Sequence, residues 1–305
     1  MSLAIFDNPG ETPIQFVECF PDNIKLYIKR EDLIHPLVSG NKWRKLKYNM
    51  IETGKRGCSS ILTFGGAFSN HIHATAAAGA ACGIKTIGVI RGEIVEPLNL
   101  TLKQASEWGM KLVSVSRQEF KRKTDPDFLS DLESKYGKFY LIPEGGTNTL
   151  ALKGCAEMAQ ISQKFDYWCL SCGTGGTLSG LLSGLSSNDK VLGFPALKGA
   201  EFLEKDINRL LKRAGIKAYT PWRLVHDYHF GGYAKITRQL LDFISDFKAN
   251  YKIILDPIYT GKMMFGVVDM IKKGYFSANS SILAIHTGGL QGITGIEEKY
   301  GKKIK

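Results

Sequence analysis

Short apolar runs alternate with longer amphipathic stretches along most of the chain. From residue 60 onward the rhythm is regular. Ser60–Phe64, Thr86–Ile90, Lys111–Val115 and Phe139–Ile142 each read as a strand, being brief apolar runs bounded by turn residues. The segments Ala74–Ala81, Leu98–Trp108 and Arg117–Tyr136 between them read as helical. After a turn at Glu144–Asn148 the alternation resumes, with helices over Leu150–Gln163, Glu201–Ala214 and Tyr233–Phe247. Strands are expected at Tyr167–Ser171, Lys190–Phe194, Arg223–Val225, Ile253–Leu255 and Ser281–Ile285. Such alternation predicts an α/β protein with mostly parallel sheets covered on both faces. Residues 1–23 read as irregular, because Pro9, Gly10, Pro13 and Pro21 interrupt them. Lys25–Lys29 alternates as a strand does, and Lys42–Thr53 reads as a helix ended near Gly54 and Gly57. The turn near 144–148 divides a small α/β unit over 45–145 from a larger one made of 1–44 plus 146–305.

Composition narrows the function classes. The 305 residues carry a formal net charge of +11. Basic residues are nevertheless interspersed with acids, and the dense runs are short: Arg44–Lys47, Lys121–Lys123 and the tail Lys302–Lys305, which reads as frayed and solvated. Zinc-knuckle spacing, aromatic RNA-binding motifs and basic heptads are absent, so no nucleic-acid partner is expected. No apolar run approaches the ~18 residues of a membrane span, and the first residues lack the features of a secretory signal. Six cysteines include Cys169 and Cys172 at CxxC spacing, without the second ligand pair that zinc requires. They read as small fillers at the end of a buried strand, in a cytoplasmic, reduced protein.

Candidate chemistry sits after the strands, where open α/β sheets bind ligands. Gly173-Thr-Gly-Gly-Thr177 follows Tyr167–Ser171 and opens a helix. Glycines there let backbone N–H groups approach an anion, and Thr174 and Thr177 add hydroxyls, which suits a phosphate. It is neither GxGxxG nor a Walker A loop. Gly65-Gly-Ala-Phe-Ser-Asn-His71 offers Ser69 as a helix N-cap and a helix start that suits a carboxylate. His71 and His73, two apart, make a poor metal pair on a helix. Asp256–Lys262 carries Tyr259, a candidate acid/base or a half-buried loop aromatic. Thr287, in His286-Thr-Gly-Gly289, ends the last strand. Ser39–Tyr48, SGNKWRKLKY, has two readings: a solvated basic helix, or a helix start whose Lys42 holds an aldehyde cofactor as a Schiff base. A lysine, an anion-binding glycine loop, an Asn/Ser pair and a tyrosine together favour pyridoxal 5'-phosphate.

These motifs, in this order from KREDL at residue 29 to HTGG at 286, resemble the fold type II pyridoxal-phosphate enzymes. The branch they resemble holds 1-aminocyclopropane-1-carboxylate (ACC) deaminase and D-cysteine desulfhydrase. The resemblance implies two three-layer αβα domains of the tryptophan synthase beta type, 1–44 plus 146–305 being the cofactor-binding one. It also implies a homodimer. Lys42, rather than Lys45 or Lys47, would be the Schiff-base lysine. Gly173, Thr174, Gly175, Gly176 and Thr177 would hold the phosphate, Asn70 the ring oxygen, and Thr287 would face the ring nitrogen. Ser69, Asn70, His71 and Tyr259 would meet a small amino-acid substrate.

Within the branch, ACC deaminases resemble this chain less at two positions. They carry a glutamate where Thr260 stands and tend to leucine where Thr287 stands; the desulfhydrase-like members have threonine at both. A neutral hydroxyl keeps the pyridine nitrogen less protonated than a carboxylate does. That favours β-elimination of D-cysteine to pyruvate, ammonia and sulfide over opening of the ACC ring to 2-oxobutyrate. The chain departs from close members in LQGITGIEEKYG, which lacks a proline, and in HFGGYAK, which replaces a Gly-Pro-Gly-Tyr-like stretch. A non-catalytic, anion-binding relative is the alternative from another class, and a colourless protein would favour it.

Overall fold

The computed structural model describes residues 2–301; the Lys302–Lys305 tail lies outside them. Ten strands form two sheets. Strands β1 (Ile14–Phe20), β2 (Ile24–Lys29), β7 (Tyr167–Cys172), β8 (Lys190–Pro195), β9 (Trp222–Leu224) and β10 (Ser281–Ile285) make a six-stranded sheet in the order β1-β2-β10-β7-β8-β9. Strands β3 (Ser60–Gly65), β4 (Lys85–Arg91), β5 (Lys111–Val115) and β6 (Tyr140–Ile142) make a second sheet in the order β5-β4-β3-β6. Every pairing within them is parallel except β1 with β2. Parallel strands are buried on both faces, which is why β3 and β7 are buried along their whole length.

Helices cover the six-stranded sheet on both sides. Leu240, Ile244, Met263 and Val267 pack on one face, and Leu178, Leu181, Leu203 and Ile207 on the other. Cys169 and Cys172 fall on opposite faces, as residues three apart on a strand must, and all six cysteines are free thiols. Burial raises Cys172 to about 12 and Cys169 further, so both stay protonated fillers. Among the described residues no helix is long and apolar enough to cross a membrane.

Five sequence expectations change. The supposedly irregular N-terminus contains β1, which pairs antiparallel with β2. Its register shifts between Phe16 and Glu18, and that bulge blurs the period-2 pattern. Ile253–Leu255 is not a strand: it is a buried connector whose Ile254 carbonyl bonds the His286 ring instead of a neighbouring strand. Arg117–Tyr136 splits into Arg117–Lys121 and Pro126–Tyr136, because Asp125 caps a new helix with proline at its first position. The helix expected from Tyr233 begins at Arg238, capped by Thr237. The one expected over Leu150–Gln163 ends at Ala156 and continues as a single tight turn.

The cations of the helix Asn41–Lys55 are not a solvated face. Arg44 bonds Glu31 at 3.0 Å and Glu157 at 3.0 Å, and Lys47 bonds Glu157 at 2.8 Å. Glu31 is wholly buried and also meets Lys29 at 3.4 Å. Arg30 holds Asp32 through two parallel bonds of 2.9 and 2.7 Å. The KREDL segment thus locks the end of β2 to the helix that starts at Asn41.

That helix start also touches the loop after β10. Gly40 has φ of 63°, and a Cβ there would stand 1.9 Å from the Thr287 carbonyl oxygen. The Asn41 N–H donates to the same oxygen at 3.2 Å. Gly40→Ala is therefore expected to lower stability by about 3 kcal/mol in urea unfolding, from left-handed strain and the clash together. A change below about 0.5 kcal/mol, the level of an ordinary surface substitution, would contradict this close approach.

Candidate active site

The ends of β3, β4, β6 and β7 and the loop after β10 surround a cavity of about 940 Å³. Lys42 lines it from the first turn of the helix Asn41–Lys55. Among the described residues nothing hydrogen-bonds or ion-pairs its amine. Desolvation, then the neighbouring charge of Lys45, holds its pKa well below the usual lysine value. A larger neutral fraction makes the amine a better nucleophile and base.

Lys45, one helical turn on and only 2% exposed, lines the same cavity. Its Nζ donates to the Gly145 carbonyl at 3.0 Å and to Thr147 Oγ1 at 3.2 Å. The same Nζ lies 3.1 Å from where a Cβ on Gly176 would be. Sequence reading placed Lys45 with the solvated charges; its i,i+3 spacing from Lys42 is the signal that puts both on one face.

The glycine loop has the form an anion needs. Gly175 caps the helix Gly176–Gly184 with φ of 78°, and a Cβ there would lie 2.8 Å from Ile207. Only glycine fits that turn. Thr174 Oγ1 bonds Thr147 Oγ1 at 2.6 Å, and Asn41 Nδ2 donates to Thr177 Oγ1 at 2.8 Å. Asn41 therefore ties the helix bearing Lys42 to the anion loop, a role the sequence did not announce.

Ser69 caps the helix Asn70–Cys82, accepting the N–H groups of His71 at 3.2 Å and Ile72 at 3.3 Å. The His71 N–H is thus already engaged, and its ring turns inward to Thr63 at 2.8 Å. Burial, with Lys42 and Lys45 nearby, pushes His71 well below the usual histidine value. His73 faces Gln104 instead, at 3.0 Å, so the two histidines do not converge. Gln291 donates to Asn70 Oδ1, which leaves the Asn70 amide NH2 as the free donor beside Gly289.

Tyr259 lies in the cavity wall with its ring 3.3 Å from a Cβ position on Gly173. Its ring meets that of Tyr233 edge-on, the centroids 6.1 Å apart. Burial, then Tyr233, pushes Tyr259 well above its ordinary value, so it is a phenol rather than a phenolate at neutral pH. Thr287 lines the cavity with Ser171, their hydroxyls 3.3 Å apart. The adjoining His286 ring is held between Ile254 O at 2.7 Å and the Gly288 N–H at 3.2 Å, with Asp32 Oδ1 3.5 Å from its Nδ1, which fixes its orientation.

Thr260 is elsewhere. It is fully buried, does not line the cavity, and donates to Asp256 Oδ1 at 2.7 Å. Asp256 also accepts the N–H groups of Ile258, Tyr259 and Thr260 at 2.8–2.9 Å. The Thr260 hydroxyl belongs to this cap, and of the two threonines Thr287 is the one that lines the cavity.

The profile of the family described as pyridoxal-phosphate dependent enzyme matches residues 5–288. The chain belongs to this family. It is thus an enzyme whose cofactor is pyridoxal 5'-phosphate, in the fold type II architecture. A Pyrococcus horikoshii protein provisionally named 1-aminocyclopropane-1-carboxylate deaminase is 33% identical over 310 residues, covering 97% of this chain and 93% of its own. A Thermotoga maritima protein of the same provisional name is 33% identical over 303 residues, covering 92% and 95%. The solved structure of an ACC deaminase homologue superposes with a TM-score of 0.83 at 31% identity, covering 98% of both chains. A hydrogen sulfide-producing enzyme of Fusobacterium nucleatum shares the fold, with a TM-score of 0.69 at 16% identity and coverage of 95% and 99%.

The residues present fit this family's cofactor. A phosphate fits the glycine loop at Gly176, where a Cβ would stand 2.8 Å from Thr147 and 3.1 Å from Lys45 Nζ. An aldehyde fits against the unpartnered Lys42 amine.

Proposed function

We propose that the enzyme deaminates a small amino acid by β-elimination, with D-cysteine as substrate and pyruvate, ammonia and hydrogen sulfide as products. Bound pyridoxal phosphate supplies the electron sink for charge developing at the substrate Cα. In this reading the residues 1–44 plus 146–305 bind the cofactor and 45–145 form the smaller domain. Lys42 would hold the cofactor's aldehyde carbon, and its amine would take the substrate α-proton. The 173–177 loop and Lys45 hold the phosphate, and the Asn70 amide donates to the ring oxygen. Ser69, Asn70 and the helix start near His71 receive the substrate carboxylate, and the Tyr259 phenol donates a proton beside the β-substituent. The Cα–H and Cβ–S bonds break, thiolate leaves as hydrogen sulfide, and the released 2-aminoacrylate takes up water to give pyruvate and ammonia.

The observation that carries this choice is the pair of neutral hydroxyls, Ser171 and Thr287, where β7 and β10 end against the cavity. Hydroxyls there make a weaker sink than a carboxylate would. That suffices for a substrate with a removable α-proton and a good leaving group. The six free thiols accord with a cytoplasmic enzyme, and we take it to act as a homodimer. ACC ring opening is the second reading, supported by the names its relatives carry. Assaying D-cysteine and ACC side by side, with detection of 2-oxo acid and sulfide, separates the two. We expect kcat/KM for D-cysteine to exceed that for ACC by at least about tenfold; the reverse ratio would sink the proposal.

A further inference from the structure

Tyr233 reaches Tyr259 from the segment His229–Lys235, which is neither helix nor strand. Four of its residues have positive φ: Phe230 at 52°, Gly231 at 90°, Gly232 at 120° and Ala234 at 54°. Glycine adopts such angles freely, whereas Phe230 and Ala234 do so only against strain. Something must hold the bend.

Lys262 does. It is the third residue of the helix Thr260–Lys272 and only 2% exposed. Its Nζ donates to the His229 carbonyl at 2.9 Å and to the Gly232 carbonyl at 2.8 Å. The two acceptors bracket Phe230 and Gly231. Among the described residues Lys262 forms no salt bridge, so this buried ammonium is held by two carbonyls of one loop. A buried charge is costly, and a neutral side chain would fill the space at less expense. The helix that carries Lys262 begins directly after Tyr259. One amine therefore joins the element that carries Tyr259 to the segment that carries Tyr233.

We propose that Lys262 is a positioning residue that pins the His229–Lys235 segment so that Tyr233 closes over the cavity and meets Tyr259. It acts through the two tyrosines and touches neither cofactor nor reacting atoms. Only the identity of the substrate rests on the β-elimination reading; the pinning stands apart from it.

The test uses cofactor-loaded wild type, Lys262→Met and Lys262→Arg. Lys262→Met should keep the visible absorbance of the bound cofactor and a cooperative melt. Its KM for D-cysteine should rise by about tenfold, with a smaller fall in kcat. Trypsin should cut at the exposed Lys235 about tenfold faster, because the loop opens more often. Lys262→Arg, which keeps donors for both carbonyls, should recover most of both effects. Should Lys262→Met fail to fold, Lys262→Gln is read in the same way. Wild-type KM together with wild-type cleavage in the folded Met or Gln variant would overturn the proposal. If wild type turns over neither D-cysteine nor ACC, the substrate reading fails, and cleavage at Lys235 alone decides the role of Lys262.

Discussion

Lys42→Ala is expected to lower turnover at least ~10³-fold and to abolish the visible absorbance of lysine-bound cofactor. The size follows from how little else can do the work. Among the described residues Lys42 is the cavity amine with neither a hydrogen bond nor an ion pair; Lys123, on the same wall, pairs with Glu144 at 3.3 Å. Lys45 is three residues away but fixed to Gly145 and Thr147, and Lys262 is fixed to His229 and Gly232. Neither is placed to substitute. The fold should survive, because no hydrogen bond or salt bridge depends on the Lys42 side chain. Absorbance spectra and 2-oxo acid assays on purified variant and wild type check both parts. Turnover within tenfold of wild type would contradict the assignment.

Glu31→Ala should be the most damaging change outside the cavity, lowering stability by about 3–5 kcal/mol. Glu31 is wholly buried and accepts from Arg44 at 3.0 Å, with Lys29 at 3.4 Å. Removing it leaves two mostly buried cations facing each other. Arg44 retains Glu157, but among the described residues Lys29 retains only Thr12. An exposed ion pair gives a different outcome: losing Arg238 with Asp242, for instance, should cost under about 1 kcal/mol. Urea unfolding of the two variants, side by side, measures the contrast. Equal costs would mean that the KREDL network does not hold the helix start.

The parallel sheets were legible because buried strands are short apolar runs with glycine-rich ends, as in β3 and β7. β1 was hidden by its bulge, and Ile253–Leu255 imitated a strand because its backbone finds a histidine instead of a neighbour. The cavity loops announced themselves through paired glycines and hydroxyls. Lys45, Asn41 and Gln291 did not, since each acts through a partner a hundred or more residues away. Thr260 adjoins Tyr259 in sequence, yet one step along a helix start turns its side chain to another face, where its hydroxyl completes the Asp256 cap. Glu31, Arg44 and Glu157 show the same limit for charge: a sequence displays ions, and only the fold pairs them.

Reductive trapping tests the central claim most directly. Borohydride treatment of the cofactor-loaded enzyme, followed by proteolysis and mass spectrometry, should find the pyridoxyl phosphate label on Lys42. A label on Lys45, Lys47 or Lys262 would contradict the account.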